Sequence, residues 1–115
     1  MNKANANPAL KKKKKAEKDP VRDGYVLNLF VAGATARSHQ AVLSVNEICG
    51  AKLKKRFRLN VFDIFQQPEL AKENQIVVTP TLIKVFPLQM KRFIGIQGII
   101  TGLTAELEIN PGFSS

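Results

Sequence analysis

The chain has little sulfur, little acid and almost no imidazole: one cysteine, one histidine, one tyrosine and no tryptophan in 115 residues, with 9 Asp and Glu against 18 Lys and Arg. A single thiol, Cys49, excludes an internal disulfide and gives no reason to place the chain in an oxidising compartment. It falls near the end of an apolar helical stripe, the setting of a buried, inert sulfur. The single histidine, His39, has no Asp or Glu at a spacing that would orient it as a base or complete a metal site, so neither a metal nor another cofactor is expected. No glycine-rich phosphate loop is present. No apolar run is long enough to cross a bilayer, and none follows the N-terminal lysines as a secretory signal requires, so the expected location is the cytoplasm.

What the chain does have is 44% hydrophobic residues and a net charge of +9, unevenly placed. Met1 to Pro20 carries seven lysines (Lys3, Lys11 to Lys15, Lys18) against Glu17 and Asp19, set among Asn, Ala and Pro with almost nothing to bury. The expected organisation is a disordered basic tail over 1–20, one domain over 21–110 and a frayed end over 111–115, apart from a contact by Phe113. The lysine run, with Lys54, Lys55, Arg56 and Arg58, could neutralise phosphates as a weak nucleic-acid binder. Exposed aromatic platforms are not expected, because most of the phenylalanines fall in strands, so no specific nucleic-acid partner follows. Membrane binding through the tail alone would need a second signal such as an acyl chain, and the sequence displays none; no membrane partner is expected.

Periodicity gives an order of elements. Tyr25 to Val31 is a near-continuous β-branched and aromatic run, the pattern of a strand buried on both faces. Thr35 or Ser38 can cap a following helix in which Ala41, Val42, Val45, Ile48 and Cys49 recur at helical spacing, with Gly50 as its stop. A cationic turn leads to a second strand over Phe57 to Phe65, completing a right-handed βαβ unit. Pro68 is placed to open a short helix ending at Asn74. Thr81 to Phe86 and Met90 to Ile94 are joined closely enough to demand an antiparallel hairpin, and Gln97 to Leu107 carries Ile99, Ile100, Leu103 and Leu107 as a last helical stripe. Gly98 and Gly102 weaken that helix by about 1 kcal/mol each relative to alanine. Asp63, at the end of the second strand, is expected to cap the loop leading to Pro68.

Val77-Val78-Thr79-Pro80-Thr81-Leu82 sets a proline where an apolar run turns into a strand. Proline gives no ladder hydrogen bond, so it must open that strand or sit at an edge, and such a junction can hold a cis bond. Thioredoxin-like domains use a Thr-Pro junction of this kind, and the predicted fold is α/β, thioredoxin-like βαβαββα, a four-stranded mixed sheet with helices on both faces. Disulfide chemistry on such a fold needs a low-pKa cysteine, and a second three residues on, at the first strand-to-helix turn. That turn reads Gly33-Ala34-Thr35-Ala36-Arg37-Ser38 and holds no sulfur.

Tyr25 to Gly33, the helix from near Ser38, Val-Phe-Asp-Ile at 61–64, Gln-Pro-Glu-Leu-Ala at 67–71 and Thr-Pro-Thr-Leu-Ile-Lys at 79–84 together resemble the KaiB family of bacterial circadian clock proteins. The likeness runs from about Tyr25 to Gly95. Beyond Gly95, where that family usually continues with Asp-Leu-Ser-Asp, the shorter ending is similar to the KaiB-like sensor domain of the histidine kinase SasA. The resemblance implies a non-enzymatic regulator that docks on a KaiC-like ATPase, with a histidine kinase as a possible further partner, and a monomer or dimer rather than a tetramer. It assigns partner binding to Gln66, Gln67, Glu69, Lys72, Glu73, Gln75, Thr79 and Pro80, with Gln75 standing where KaiB commonly has lysine. It assigns a second partner to the edge at Phe57, Arg58, Leu59 and Asn60, where the arginines could equally protect the strand with charge. Two other readings stay open: a thioredoxin-like stress or redox protein using Cys49, and stress signalling in place of timekeeping.

Overall fold

The computed structural model describes residues 24–109, so the expectations for the 1–20 tail, for residues after 109 and for Phe113 lie outside the described residues. Seven elements follow one another: β1 (Tyr25–Val31), α1 (Ala36–Leu53), β2 (Phe57–Asp63), α2 (Pro68–Glu73), β3 (Thr81–Phe86), β4 (Lys91–Ile94) and α3 (Gly95–Ile109). This is the βαβαββα order expected from periodicity. The strands lie side by side as β2-β1-β3-β4, with β1 parallel to β2 and antiparallel to β3, and β4 antiparallel to β3.

Alternation along the strands sorts the side chains to two faces. Tyr25, Leu27, Leu29 and Val31 of β1 and Leu82 of β3 meet Ala41, Val45, Cys49 and Leu53 of α1 and Ile99, Leu103 and Leu107 of α3 in one buried core. Phe30 and Ile83 point to the other face and are buried there, Phe30 against the ring of Phe62 with centroids 5.2 Å apart. Arg92 is on that second face, beside Ile83, and its guanidinium reaches the carbonyl oxygens of Asn74 and Gln75 at 2.9 and 3.4 Å. The end of α2 is thereby tied to the face opposite α1 and α3, so helices flank both sides of the sheet.

Several boundaries differ from expectation by one to three residues, and three of them have a clear physical reason. α1 runs through Gly50 to Leu53, because Leu53 continues the Ala41, Val45, Cys49 stripe and its burial outweighs the glycine. β2 stops at Asp63, whose carbonyl accepts the N–H groups of Gln66 and Gln67 at 3.0 and 2.9 Å and bends the chain away. α3 starts directly at Gly95, which has φ +79 and donates its N–H to the Pro80 carbonyl at 2.8 Å; the left-handed backbone there suits glycine.

The glycines inside the helices are not equivalent. A Cβ at Gly50 or Gly98 would meet nothing within 4 Å, whereas one at Gly102 would lie 2.3 Å from the Phe93 ring. Gly102 therefore lets β4 approach α3. Gly50→Ala and Gly98→Ala should each stabilise by up to about 1 kcal/mol. Gly102→Ala should destabilise, with Phe93→Leu restoring part of the loss; urea unfolding of the four variants distinguishes these outcomes.

One buried group went unforeseen. Lys84 Nζ lies 2.7 Å from Glu106 Oε2, both side chains almost fully enclosed at 3% and 2% exposure, and the half-exposed Lys91 reaches the other oxygen at 3.0 Å. The Lys84 ammonium also stands 5.9 Å from the centre of the Tyr25 ring. Burial, then the negative charge of Glu106 and a smaller effect of Cys49, push the Tyr25 phenol up to about 12, so it stays neutral.

Candidate functional site

The turn between β1 and α1 is where a thiol oxidoreductase would carry its sulfurs. Here Thr35 is the helix cap: its Oγ1 accepts the Ser38 N–H at 3.1 Å and donates to Ser38 Oγ at 3.0 Å. Ala34, Thr35, Ser38, His39 and Val42 line a shallow depression of about 280 Å³, with no thiol among them. His39 is exposed on the first turn of α1. Cys49 lies within the core, where burial pushes its thiol up to about 12. A thiolate is thus scarce at neutral pH, and we expect no reaction of the folded chain with Ellman's reagent, followed by one equivalent of colour on denaturation.

Across the same end of the sheet, Asp63 organises the second loop. Its Oδ1 accepts from Gly33 N–H at 3.0 Å and from Phe65 N–H at 2.9 Å, so one carboxylate oxygen joins the β1–α1 and β2–α2 loops. The capping role read from sequence is present, with a cross-link to Gly33 added.

Pro68 begins α2 at the position where its missing N–H costs nothing, and Glu69 sits in the first turn where the helix dipole favours an acid. At the other end the N–H of Ile76 bonds to Ala71 O at 2.9 Å and that of Gln75 to Lys72 O at 3.0 Å, a Schellman ending. Gln75 occupies its left-handed position with φ 55, where glycine is usual. Gln66, Gln67, Glu69 and Glu73 line an open groove of about 500 Å³ with Pro68 and Leu70. Lys72 and Gln75 are exposed but do not line it.

The chain then passes Val77 and Val78, exposed at 91% and 50%, before the cis Thr79-Pro80 bond that precedes β3. Thr79 is half-buried and Pro80 fully buried, so Pro80 shapes the loop rather than presenting itself to a partner. Sequence reasoning missed Val77 and Val78 as surface, along with Phe65, which is 71% exposed beside Gly33. A run of β-branched residues before a proline reads as strand, and only the strand start at Thr81 puts the valines in a loop. Phe57, Arg58, Leu59 and Asn60 lie on β2, an edge of the described sheet. Phe57 and Leu59 pack against the core, and Asn60 Nδ2 donates to Asn28 Oδ1 at 2.9 Å. Among the described residues no group of His, Cys, Asp and Glu could hold a metal ion, and no helix is long and apolar enough to cross a membrane.

A β2-β1-β3-β4 sheet, a cis proline before β3 and a first helix capped where a cysteine pair would stand define a thioredoxin-like domain without the redox sulfurs. Thioredoxin Deadhead of Drosophila melanogaster shares the fold at a TM-score of 0.60 and 17% identity, over 76% of this chain and 84% of that one. The N-terminal domain of SasA from Synechococcus elongatus matches at a TM-score of 0.66 and 26% identity, over 83% of this chain and 90% of that domain. The KaiB domain model matches residues 28–104, and the circadian clock oscillator protein KaiB of Thermostichus vulcanus is 43% identical over 76 residues, 66% of this chain and 70% of that protein. The chain belongs to the KaiB family.

Proposed function

We propose that this protein is a non-enzymatic regulator that binds a KaiC-type ATPase through α2 and the loop that follows it, and so favours one state of that assembly. The observation that carries the reading is a run of exposed residues along α2 and the loop after it. Gln66, Gln67, Glu69, Lys72, Glu73 and Gln75 offer polar contacts, and Val77 and Val78 add exposed apolar surface. Relatives named as circadian clock proteins support a clock role, and the likeness to the SasA domain supports a histidine kinase as a second partner. The thiol-free β1–α1 turn and the buried Cys49 disfavour disulfide chemistry of the thioredoxin kind.

Association with the KaiC-type ATPase encoded in the same genome, measured by interferometry with ATP and with ADP, tests the proposal. Because both valines are exposed, Val77→Asp with Val78→Asp should leave the melting temperature near that of the wild type while weakening binding at least tenfold, as expected when charge replaces the apolar contacts of an interface. Absence of binding in either nucleotide state would refute the reading. The proposed free state is a cytosolic monomer or dimer, which size-exclusion chromatography reports. The β2 edge at Phe57 to Asn60 is proposed as a second docking strand, used independently of α2.

A further inference from the structure

The geometry points to a second copy of this chain as the occupant of the β2 edge: two β2 strands pair antiparallel about a two-fold axis at Asn60, and the two sheets become one. Tyr25 N–H donates to Arg56 O at 3.0 Å and Ile64 N–H to Val31 O at 2.8 Å, which fixes the parity of the parallel β1–β2 ladder. Arg58, Asn60 and Phe62 therefore turn their backbone groups to β1, while Phe57, Leu59, Val61 and Asp63 turn theirs outward. The Asp63 carbonyl is taken by the turn to α2, but the N–H and C=O of Leu59 and Val61 have no partner among the described residues. Such an edge is a template for another strand.

A two-fold axis at Asn60 sets Leu59 of each copy against Val61 of the other, and with their outward groups each such pair exchanges both backbone bonds. The same register suits the side chains. Val61, on the core face of the sheet as the neighbour of Leu29, is left 44% exposed, and Leu59 of the second copy covers it. On the opposite face Asn28 stands beside Asn60 and accepts from its Nδ2 at 2.9 Å, which leaves Asn60 Oδ1 and the second amide hydrogen with no partner among the described residues. At the axis two Asn60 amides face one another, each donating that hydrogen to the other's Oδ1, and an amide row runs Asn28, Asn60, Asn60, Asn28 across the joined sheets. Antiparallel pairing also carries the exposed Lys54 and Lys55 of one copy toward the start of α2 in the other, where Glu69 offers the opposite charge. A strand from another protein would meet the outward backbone equally well, but a second copy supplies the apolar and the amide complement together. The inference rests on the reading of β2 as a docking strand, not on the docking of α2 to an ATPase.

Sedimentation velocity of the full chain over a dilution series is the first test, and we expect a dimer that dissociates on dilution. Val61→Lys changes an exposed side chain, so it should keep the melting temperature near that of the wild type while weakening association about tenfold or more. Asn60→Cys should form a covalent dimer under mild oxidation, because facing residues at the axis are a non-hydrogen-bonded pair with Cα atoms about 4.5 Å apart, within the span of a disulfide. Arg58→Cys, which the same register sets opposite Phe62, should not cross-link, and the buried Cys49 takes no part. Hydrogen exchange gives a direct reading: the amides of Leu59 and Val61 should be protected in concentrated samples and exchange on dilution, while those of Asn60 and Phe62 stay protected throughout. A monomer with fast exchange at 59 and 61 would overturn the second copy and leave β2 open to a strand of another protein. Slow exchange there at every concentration would show that the same chain covers the edge, which overturns both readings of β2. A dimer unaffected by Val61→Lys, or one that cross-links at position 58 and not at 60, would overturn the inference as well.

Discussion

Glu106→Leu is expected to destabilise the protein by about 3–5 kcal/mol, because it strands the Lys84 ammonium in the core. Glu106 faces Lys84 at 2.7 Å, and with 3% exposure Lys84 has little access to water. Making the second change, Lys84→Met, should recover most of the loss or exceed wild-type stability, since two well-packed apolar chains escape the desolvation that a buried pair incurs. Denaturant unfolding of both variants checks this, and a loss under about 1 kcal/mol in the single variant would mean that Lys84 finds water after all. Acid provides a second reading. Burial tends to raise the Glu106 carboxyl, but the hydrogen bonds and charges of Lys84 and Lys91 outweigh it and hold the group below its ordinary value of 4.5. The folded state thus binds this proton less readily than the unfolded chain. The carboxylate's contribution is complete above about pH 4.5 and is lost as pH falls through the lower folded value. The wild type should therefore lose stability in acid more steeply than the Glu106→Leu, Lys84→Met pair.

Leu103→Ala carries the other large effect. Leu103 is fully enclosed where α3 meets α1 and the sheet, within the same cluster as Val45, Leu29 and Leu107. Truncation removes buried methyl groups and leaves a cavity that helices held on both sides cannot close, at a cost of about 2–5 kcal/mol. Equilibrium unfolding measures it; a near-zero change would mean that α3 does not rest on the sheet.

Much of this was legible in the residues. Strands β1 and β3 were found to the residue because apolar content and β-branching coincide there and the flanking Gly33 and Pro80 punctuate them. The end of α1 was not, because glycine at position 50 is a local signal and Leu53 a tertiary one. The Lys84–Glu106 pair was readable in part: alternation puts Lys84 on the same face as Leu82, and Glu106 is seven residues after Ile99 on the buried stripe of α3. Nothing local says that the two meet. The polar residues of the proposed docking surface were assigned through the family resemblance, but the exposure of Val77 and Val78 depends on where β3 begins, which is decided by pairing with β1 and not by the valines themselves.

The segment between β2 and β3 is fastened at each extremity. Asp63 fixes its beginning to Gly33, and Arg92 fixes the carbonyls at the finish of α2. A helix of only six residues would have marginal order by itself. Fastened in this way it is already preorganised, so the docking proposed for it would surrender little conformational entropy and retain more of the contact energy as affinity.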